Sequence, residues 1–279
     1  MMTRYYKVAG HTFTVSSKSE IFEKMDNFEP FECEGGEPLF SLTIEYGVAP
    51  EYTEVYRQEH WLFRSFGYDA SGNEVYKTGK MQKGGYLICS KDHHRGCIIM
   101  MGDLSKMVLD YTTMLMYSMA AAEKDTLLLH AVVVSCEGKS YLFLGPSHMG
   151  KSTHAQLWLE HIEGTELVND DFPVVRVGMV YGSPWGWKTP CYRNVSFPIG
   201  GMVILSQAPY NKVQRLSGVE AYMYLNVRVI SNLSDRRIAE CLHPAKNKLA
   251  STVPMWFLEC LPDEEAARLC HDTITNQEL

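Results

Sequence analysis

Over residues 1 to about 102, apolar and polar positions alternate in short runs. Tyr6-Lys-Val-Ala-Gly-His-Thr-Phe-Thr-Val15 carries two such runs around Ala9-Gly10, the pattern of a hairpin. Residues 40–46 predict another strand. Residues 60–66 and 74–77 flank the turn sequence Asp69-Ala-Ser-Gly72, and 86–89 and 97–101 complete the set. Short strands separated by turns predict an antiparallel sheet, of which two strands could instead extend a sheet of the second half. A helix is then expected from Asp103 or Ser105, either of which suits its N-cap. Met107, Val108, Tyr111, Met114, Leu115 and Met119 recur there at helical spacing, a stripe suited to core packing.

From Leu127 the pattern changes. Residues 127–136 form a continuous valine-rich apolar run, closed by the turn Glu137-Gly138-Lys139. A strand at 141–144, a glycine-containing loop and a helix from Lys151 to about His161 follow. Residues 166–168 predict a strand ending in Asn169-Asp170-Asp171. Residues 174–177 and 180–181 form a hairpin turning at Gly178. Strands at 202–206 and 213–216 precede a helix capped by Ser217. A late strand at 253–259 leads to a terminal helix opened by Pro262-Asp263-Glu264. The expected architecture is α/β, α+β overall. A β-rich region, residues 1–102, precedes a mixed-sheet domain over residues 103–279.

Composition narrows the function classes. The 279 residues are 46 % hydrophobic and 21 % charged, enough apolar material for a sizeable core. A net charge of −7 disfavours binding to nucleic acid. The chain has no Lys/Arg run to anchor it on an anionic membrane and no apolar run near the ~18–20 residues that span a bilayer. The N-terminus lacks the apolar centre of a signal peptide. A cytoplasmic protein is expected. The eight cysteines form no Cys-x-x-Cys pair, which points to reduced thiols rather than zinc or a disulfide framework.

The candidate chemistry starts at Gly145-Pro146-Ser147-His148-Met149-Gly150-Lys151-Ser152, followed by Thr153, a match to GxxxxGK[ST] between a predicted strand and a predicted helix. Backbone N–H groups of such a loop wrap a phosphate, and the helix N-terminus adds its positive end. Lys151 is suited to the outer phosphates and Ser152 to Mg²⁺. Asp170 and Asp171 follow Lys151 by about 20 residues, at the end of a strand. One is suited to hold Mg²⁺, the other to accept a proton from an attacking hydroxyl. His130 lies within the apolar run beside the loop strand. Lys188 and Arg193, near Trp185 and Trp187, are candidate cations for a transferring phosphoryl group. His93-His94 and Cys270-His271 lack partners at ligand spacing and receive no role.

Together the strand with His130, the loop GPSHMGKST, the segment NDDFP and the downstream GSPWGWK resemble the C-terminal domain of HPr kinase/phosphorylase and its phosphoenolpyruvate carboxykinase-like relatives. The resemblance runs from about Leu127 to Leu225 and more weakly to the C-terminus. It implies a P-loop kinase domain that binds ATP with Mg²⁺ and transfers a phosphoryl group to a hydroxyl, usually a protein serine. His130, Asp170 and Asp171 match positions that flank the reacting phosphate. In the carboxykinase branch the corresponding histidine and aspartate bind a second metal. Relatives also supply the expectation of a homo-oligomer. The sequence departs from the pattern at His148, where relatives commonly carry glycine, and at Trp187, which replaces a glycine beside Lys188. The residues with which HPr kinases engage their protein substrate are not found, so the acceptor is left open. The function expected first is an ATP/Mg²⁺-dependent kinase acting on a hydroxyl of a protein, peptide or small molecule. The alternative is a catalytically inactive nucleotide- or phosphate-binding module. Carboxykinase-like chemistry ranks behind both, since the chain is short for it and further substrate-binding arginines are not found.

Overall fold

The computed structural model describes residues 1–57, 63–79, 84–102, 106–186, 189 and 191–276. The chain forms two compact units, Met1–Ala122 and Glu123–Leu279. The sequence pattern placed the division at 102/103, before the helix. The structure sets it after the helix, because that helix packs on strands of the first unit. No described helix is long and apolar enough to cross a membrane.

The first unit is a nine-stranded sheet. Its strands are β1 (Met2–Val8), β2 (His11–Ser17), β3 (Glu32–Cys33), β4 (Ser41–Tyr46), β5 (Thr53–Arg57), β6 (Ser65–Tyr68), β7 (Glu74–Thr78), β8 (Gly85–Cys89) and β9 (Arg95–Met100). A short helix α1 (Ser19–Phe22) and a 3₁₀ turn at Asp26–Phe31 connect β2 to β3. The strand order is β3-β1-β2-β4-β9-β8-β7-β6-β5. The expected hairpin at Ala9-Gly10 is present, with both residues at positive φ. The sheet is mixed rather than antiparallel, because β4 runs parallel to both β2 and β9. All nine strands stay in this unit's sheet, so none extends the sheet of the second half. Helix α2 (Lys106–Ala120) buries Val108, Met114, Leu115 and Met119, whereas Met107 is exposed. Asp103 and Ser105, the expected caps, lie outside the described residues.

The second unit holds β10 (Thr126–Leu128), β11 (Ala131–Cys136), β12 (Lys139–Leu144), α3 (Lys151–His161), β13 (Glu166–Asn169), β14 (Val174–Arg176), β15 (Met179–Tyr181), β16 (Ser196–Gln207), β17 (Lys212–Arg215), α4 (Gly218–Asn226), α5 (Arg236–Thr252), β18 (Met255–Cys260) and α6 (Glu264–Thr275). The central sheet is mixed: β12 is antiparallel to β11 and parallel to β16, which is parallel to β18. The first half of β16 instead pairs with β15, which joins β14 and β10 to the same assembly. The apolar run 127–136 is two strands, not one. It breaks at Leu129-His130, where β10 turns to pair with β14 while β11 pairs with β12 and β13. Helix α5 is not predicted by the sequence pattern, because Pro244 interrupts its middle. Ser217 caps α4 as expected, in a capping box with Glu220.

Apolar faces of α3 and α6 cover this sheet. Trp158 of α3 and Trp256 of β18 are buried in the core between them, with Phe143, Val134, Val203 and Ile274. This packing fixes the N-terminus of α3 at the end of β12, the position on which the candidate site depends.

Candidate functional site

The register of three neighbouring strands gathers the site. Ala131 at the start of β11 lies opposite Leu144 at the end of β12. His130 and Gly145, one residue beyond each, therefore emerge at the same sheet edge. Asn169 at the end of β13 pairs with Val133 of β11, and the Asp171 carbonyl accepts the Ala131 N–H at 3.0 Å. Asp170 and Asp171 thus join that edge too. Ligands of α/β sheets bind outside strand ends of this kind.

The loop itself has the strand–loop–helix form. Gly145 (φ 158°), His148 (φ 66°) and Gly150 (φ 97°) all take the left-handed region. His148 holds a conformation that favours glycine and costs a side-chain-bearing residue about 1–2 kcal/mol. Its carbonyl is fastened by the Gln207 Nε2 donor at 3.1 Å. Pro146, Ser147 and His148 are exposed, and Met149 and Gly150 half-buried. Lys151 is buried, and its Nζ donates to the carbonyls of Gly145 (3.0 Å) and Pro146 (3.2 Å). Ser152, half-buried, and Thr153, exposed, lie in the first turn of α3. A helix of 11 residues starting at Lys151 presents its N-terminal N–H groups to whatever the loop holds.

The Asp-Asp turn is held by Asn169, to which the sequence reading gave no role. Asn169 Oδ1 accepts the backbone N–H groups of Asp171 (3.0 Å) and Phe172 (2.7 Å). Its Nδ2 donates to Ser183 Oγ (3.1 Å) and to the Trp185 carbonyl (3.3 Å). Ser183 Oγ in turn donates to the Phe172 carbonyl at 2.6 Å. This buried network ties the turn to the Pro-Trp segment, and Trp185 is core. An asparagine placed to accept its own backbone two residues on was the available sequence signal. Gly186 is equally tied to the turn, since a Cβ there would come within 2.1 Å of Asp170 Oδ1.

The two aspartates have different partners. Asp170 Oδ2 accepts the Thr189 N–H at 2.8 Å. Asp171 Oδ1 lies 3.0 Å from His130 Nε2, and both side chains are largely buried. The His130 ring stacks on Phe172, with centroids 5.6 Å apart. The His130 N–H donates to the Arg228 carbonyl at 2.9 Å, and the antiparallel bridge Leu129↔Val229 sets His130 opposite Arg228. The Arg228 side chain donates from Nη1 to the Val227 carbonyl at 3.4 Å. Burial holds the Arg228 guanidinium below its ordinary pKa. No local pattern in the sequence marked Arg228.

Other candidates fall elsewhere. Arg193 donates to the Leu167 carbonyl and to Glu166, both 2.7 Å, at the opposite end of β13 from the aspartates. Lys188 and Trp187 lie outside the described residues. In the first unit, His93 does have partners: its Nε2 is 3.0 Å from the buried carboxylate of Glu74, with the Cys89 thiol nearby. Tyr76 donates its hydroxyl to the same carboxylate at 2.8 Å.

Ser152, Asp170 and Asp171 carry oxygen donors, the kind that suits Mg²⁺, whereas the ligand atoms that lie within 4.8 Å of one another among the described residues are those of Glu74, Cys89 and His93 in the first unit. Compared with known proteins, the chain matches no family model, and no curated protein resembles it at a significant level.

Proposed function

We propose that the protein is an ATP- and Mg²⁺-dependent phosphotransferase acting on a hydroxyl, such as that of a protein or peptide serine. One observation carries this reading: the GxxxxGKS loop between β12 and α3 shares a sheet edge with the His130–Asp171 pair. In this mechanism the loop N–H groups and Lys151, released from the Gly145 and Pro146 carbonyls, bind the outer phosphates. Ser152 and Asp170 would hold Mg²⁺, which supplies neutralising charge between the phosphates when bound. Asp171 accepts the proton of the attacking hydroxyl, and His130 holds that carboxylate in place. Positioning and electrostatics supply most of the rate in such a reaction. The reading extends to a cytoplasmic setting, supported by eight cysteines that form no disulfide among the described residues.

The test is Mg²⁺-dependent hydrolysis of ATP, with water replacing the acceptor, in the wild type and in Asp171→Asn. Slow turnover that the variant loses is the expected result. Equal turnover in both removes Asp171 from the chemistry.

A second reading, a phosphate-binding module without turnover, is favoured by the strained His148 and by the engagement of Lys151 with its own loop. It predicts nucleotide binding with no hydrolysis.

A further inference from the structure

In the first unit, a carboxylate is buried where a sheet core would take an apolar side chain. Glu74 opens β7 and is fully buried, beside the buried Val75 and Tyr76. Glutamate is almost never so placed without partners, because an ionised carboxylate loses several kcal/mol on leaving water.

Strand register brings a thiol to it. Glu74 lies directly opposite Cys89 of β8, so the two side chains share one face of the sheet. Tyr76, two residues along β7, shares that face and donates its hydroxyl to Glu74 Oε2 at 2.8 Å. A third group comes from the turn between β8 and β9. There the Ser90 N–H donates to the Arg95 carbonyl, and the His93 N–H donates to the Ser90 carbonyl. His93 takes the left-handed region (φ 53°), and its Nε2 reaches Glu74 Oε2 at 3.0 Å. One ligand atom from each of Glu74, Cys89 and His93 lies within 4.8 Å of the other two, and all three residues are buried.

The donor set points to an ion. Thiolate, imidazole and carboxylate are the donors that Zn²⁺ takes, with bonds of about 2.0–2.3 Å. Tetrahedral geometry with such bonds sets the ligand atoms roughly 3.3–3.7 Å apart. The contact of His93 with Glu74 opens by less than an ångström to admit the ion, and the thiol closes in by about an ångström at most. Charge balances too. An ionised carboxylate, a thiolate and a neutral imidazole together cancel a dication, which suits a buried place. Sulfur and nitrogen separate this set from the oxygen donors of Ser152, Asp170 and Asp171, and favour Zn²⁺ over Mg²⁺.

We propose that Glu74, Cys89 and His93 bind one Zn²⁺, with water in the fourth position and Tyr76 orienting the carboxylate. On binding, the Cys89 thiol gives its proton to solvent, and His93 Nε2 is left without one. The ion clips the turn between β8 and β9 to β7. All three ligands belong to the first unit, so the inference does not depend on the phosphate-loop reading.

The test loads the full chain, stripped of metal, with Zn²⁺ and with Co²⁺ as a spectroscopic stand-in. One equivalent of Co²⁺ should show the sulfur-to-metal charge-transfer absorption of a single thiolate, and Zn²⁺ should displace it. Zn²⁺ should also raise the thermal unfolding midpoint, because it binds the folded chain. Cys89→Ala should abolish the charge-transfer band. His93 lies on a turn at the rim of the fold, and His93→Gln should weaken Zn²⁺ binding by more than about 100-fold. Tyr76→Phe removes only an outer partner and should cost roughly 10–100-fold. A wild type that takes up no Zn²⁺ overturns the proposal, an outcome that needs no variant. Co²⁺ bound without the thiolate band also overturns it. Zn²⁺ affinity unchanged in His93→Gln and Cys89→Ala does the same, since binding then belongs to other cysteines and histidines of the chain.

Discussion

His130 Nε2 and Asp171 Oδ1 lie 3.0 Å apart, although one residue precedes β11 and the other follows β13. The pairing of those two strands makes the contact, and Phe172 and the Arg228 carbonyl hold the histidine in place. A carboxylate so positioned is suited to accept a proton from an approaching hydroxyl. Asp171→Asn should leave ATP binding intact and lower turnover by about 10²–10⁴-fold, the usual worth of a general base. Parallel measurement of binding and hydrolysis checks this, and unchanged turnover assigns the pair a structural role.

Gly186 sets the place of the other carboxylate. An alanine Cβ there would lie 2.1 Å from Asp170 Oδ1, so Gly186→Ala must displace the side chain or the segment carrying it. A displacement of about an ångström costs roughly 10²-fold in rate. The expected result is lower Mg²⁺-dependent turnover, with a raised Mg²⁺ requirement, while phosphate binding is largely kept. A variant with wild-type Mg²⁺ dependence shows that Asp170 does not hold the ion.

Asn169→Ala removes two acceptor and two donor contacts from a buried network. Loss of about 2–4 kcal/mol is expected, because the freed N–H and hydroxyl groups are left without partners away from water. Chemical denaturation measures it. A change below about 0.5 kcal/mol, the level of an ordinary surface substitution, contradicts the assigned role.

His154 predicts a pH dependence. Its folded pKa, about 4, lies below its ordinary value near 6.5. Between those values the unfolded chain binds the proton and the folded chain does not. Stability from this group is therefore present above about pH 6.5 and lost as pH falls toward 4. His154→Gln keeps an acceptor for the Trp158 indole but does not titrate. Denaturation midpoints at pH 7, 5.5 and 4 should fall less steeply in the variant than in the wild type, and parallel slopes contradict the assignment.

Local chemistry in the sequence made legible the elements that carry the candidate site and much of the second unit. The loop match, the Asp-Asp pair and the Ser217 cap each rest on neighbours within a few residues, and the structure shows the strand, loop, helix and cap there. What depended on distant residues was not legible. The break at Leu129-His130 lies in an unbroken apolar run, because strands buried on both faces lose alternation. Arg228 joins His130 only through a bridge between remote segments. Helix α5 is hidden by Pro244, which its tertiary packing tolerates. The mixed character of the first sheet arises because β4 lies between β2 and β9, an arrangement that hairpin signals do not encode.

The most direct test of the central claim is calorimetric titration of ATP, with and without Mg²⁺, into the wild type and Lys151→Ala. Lys151 sits buried in the loop with its amine on the Gly145 and Pro146 carbonyls, so its removal takes away the charge offered to the phosphates. The account predicts Mg²⁺-dependent binding that weakens at least about tenfold in the variant, a change of about 1.4 kcal/mol. Absence of binding in the wild type, or equal binding in both proteins, would contradict a working phosphate loop.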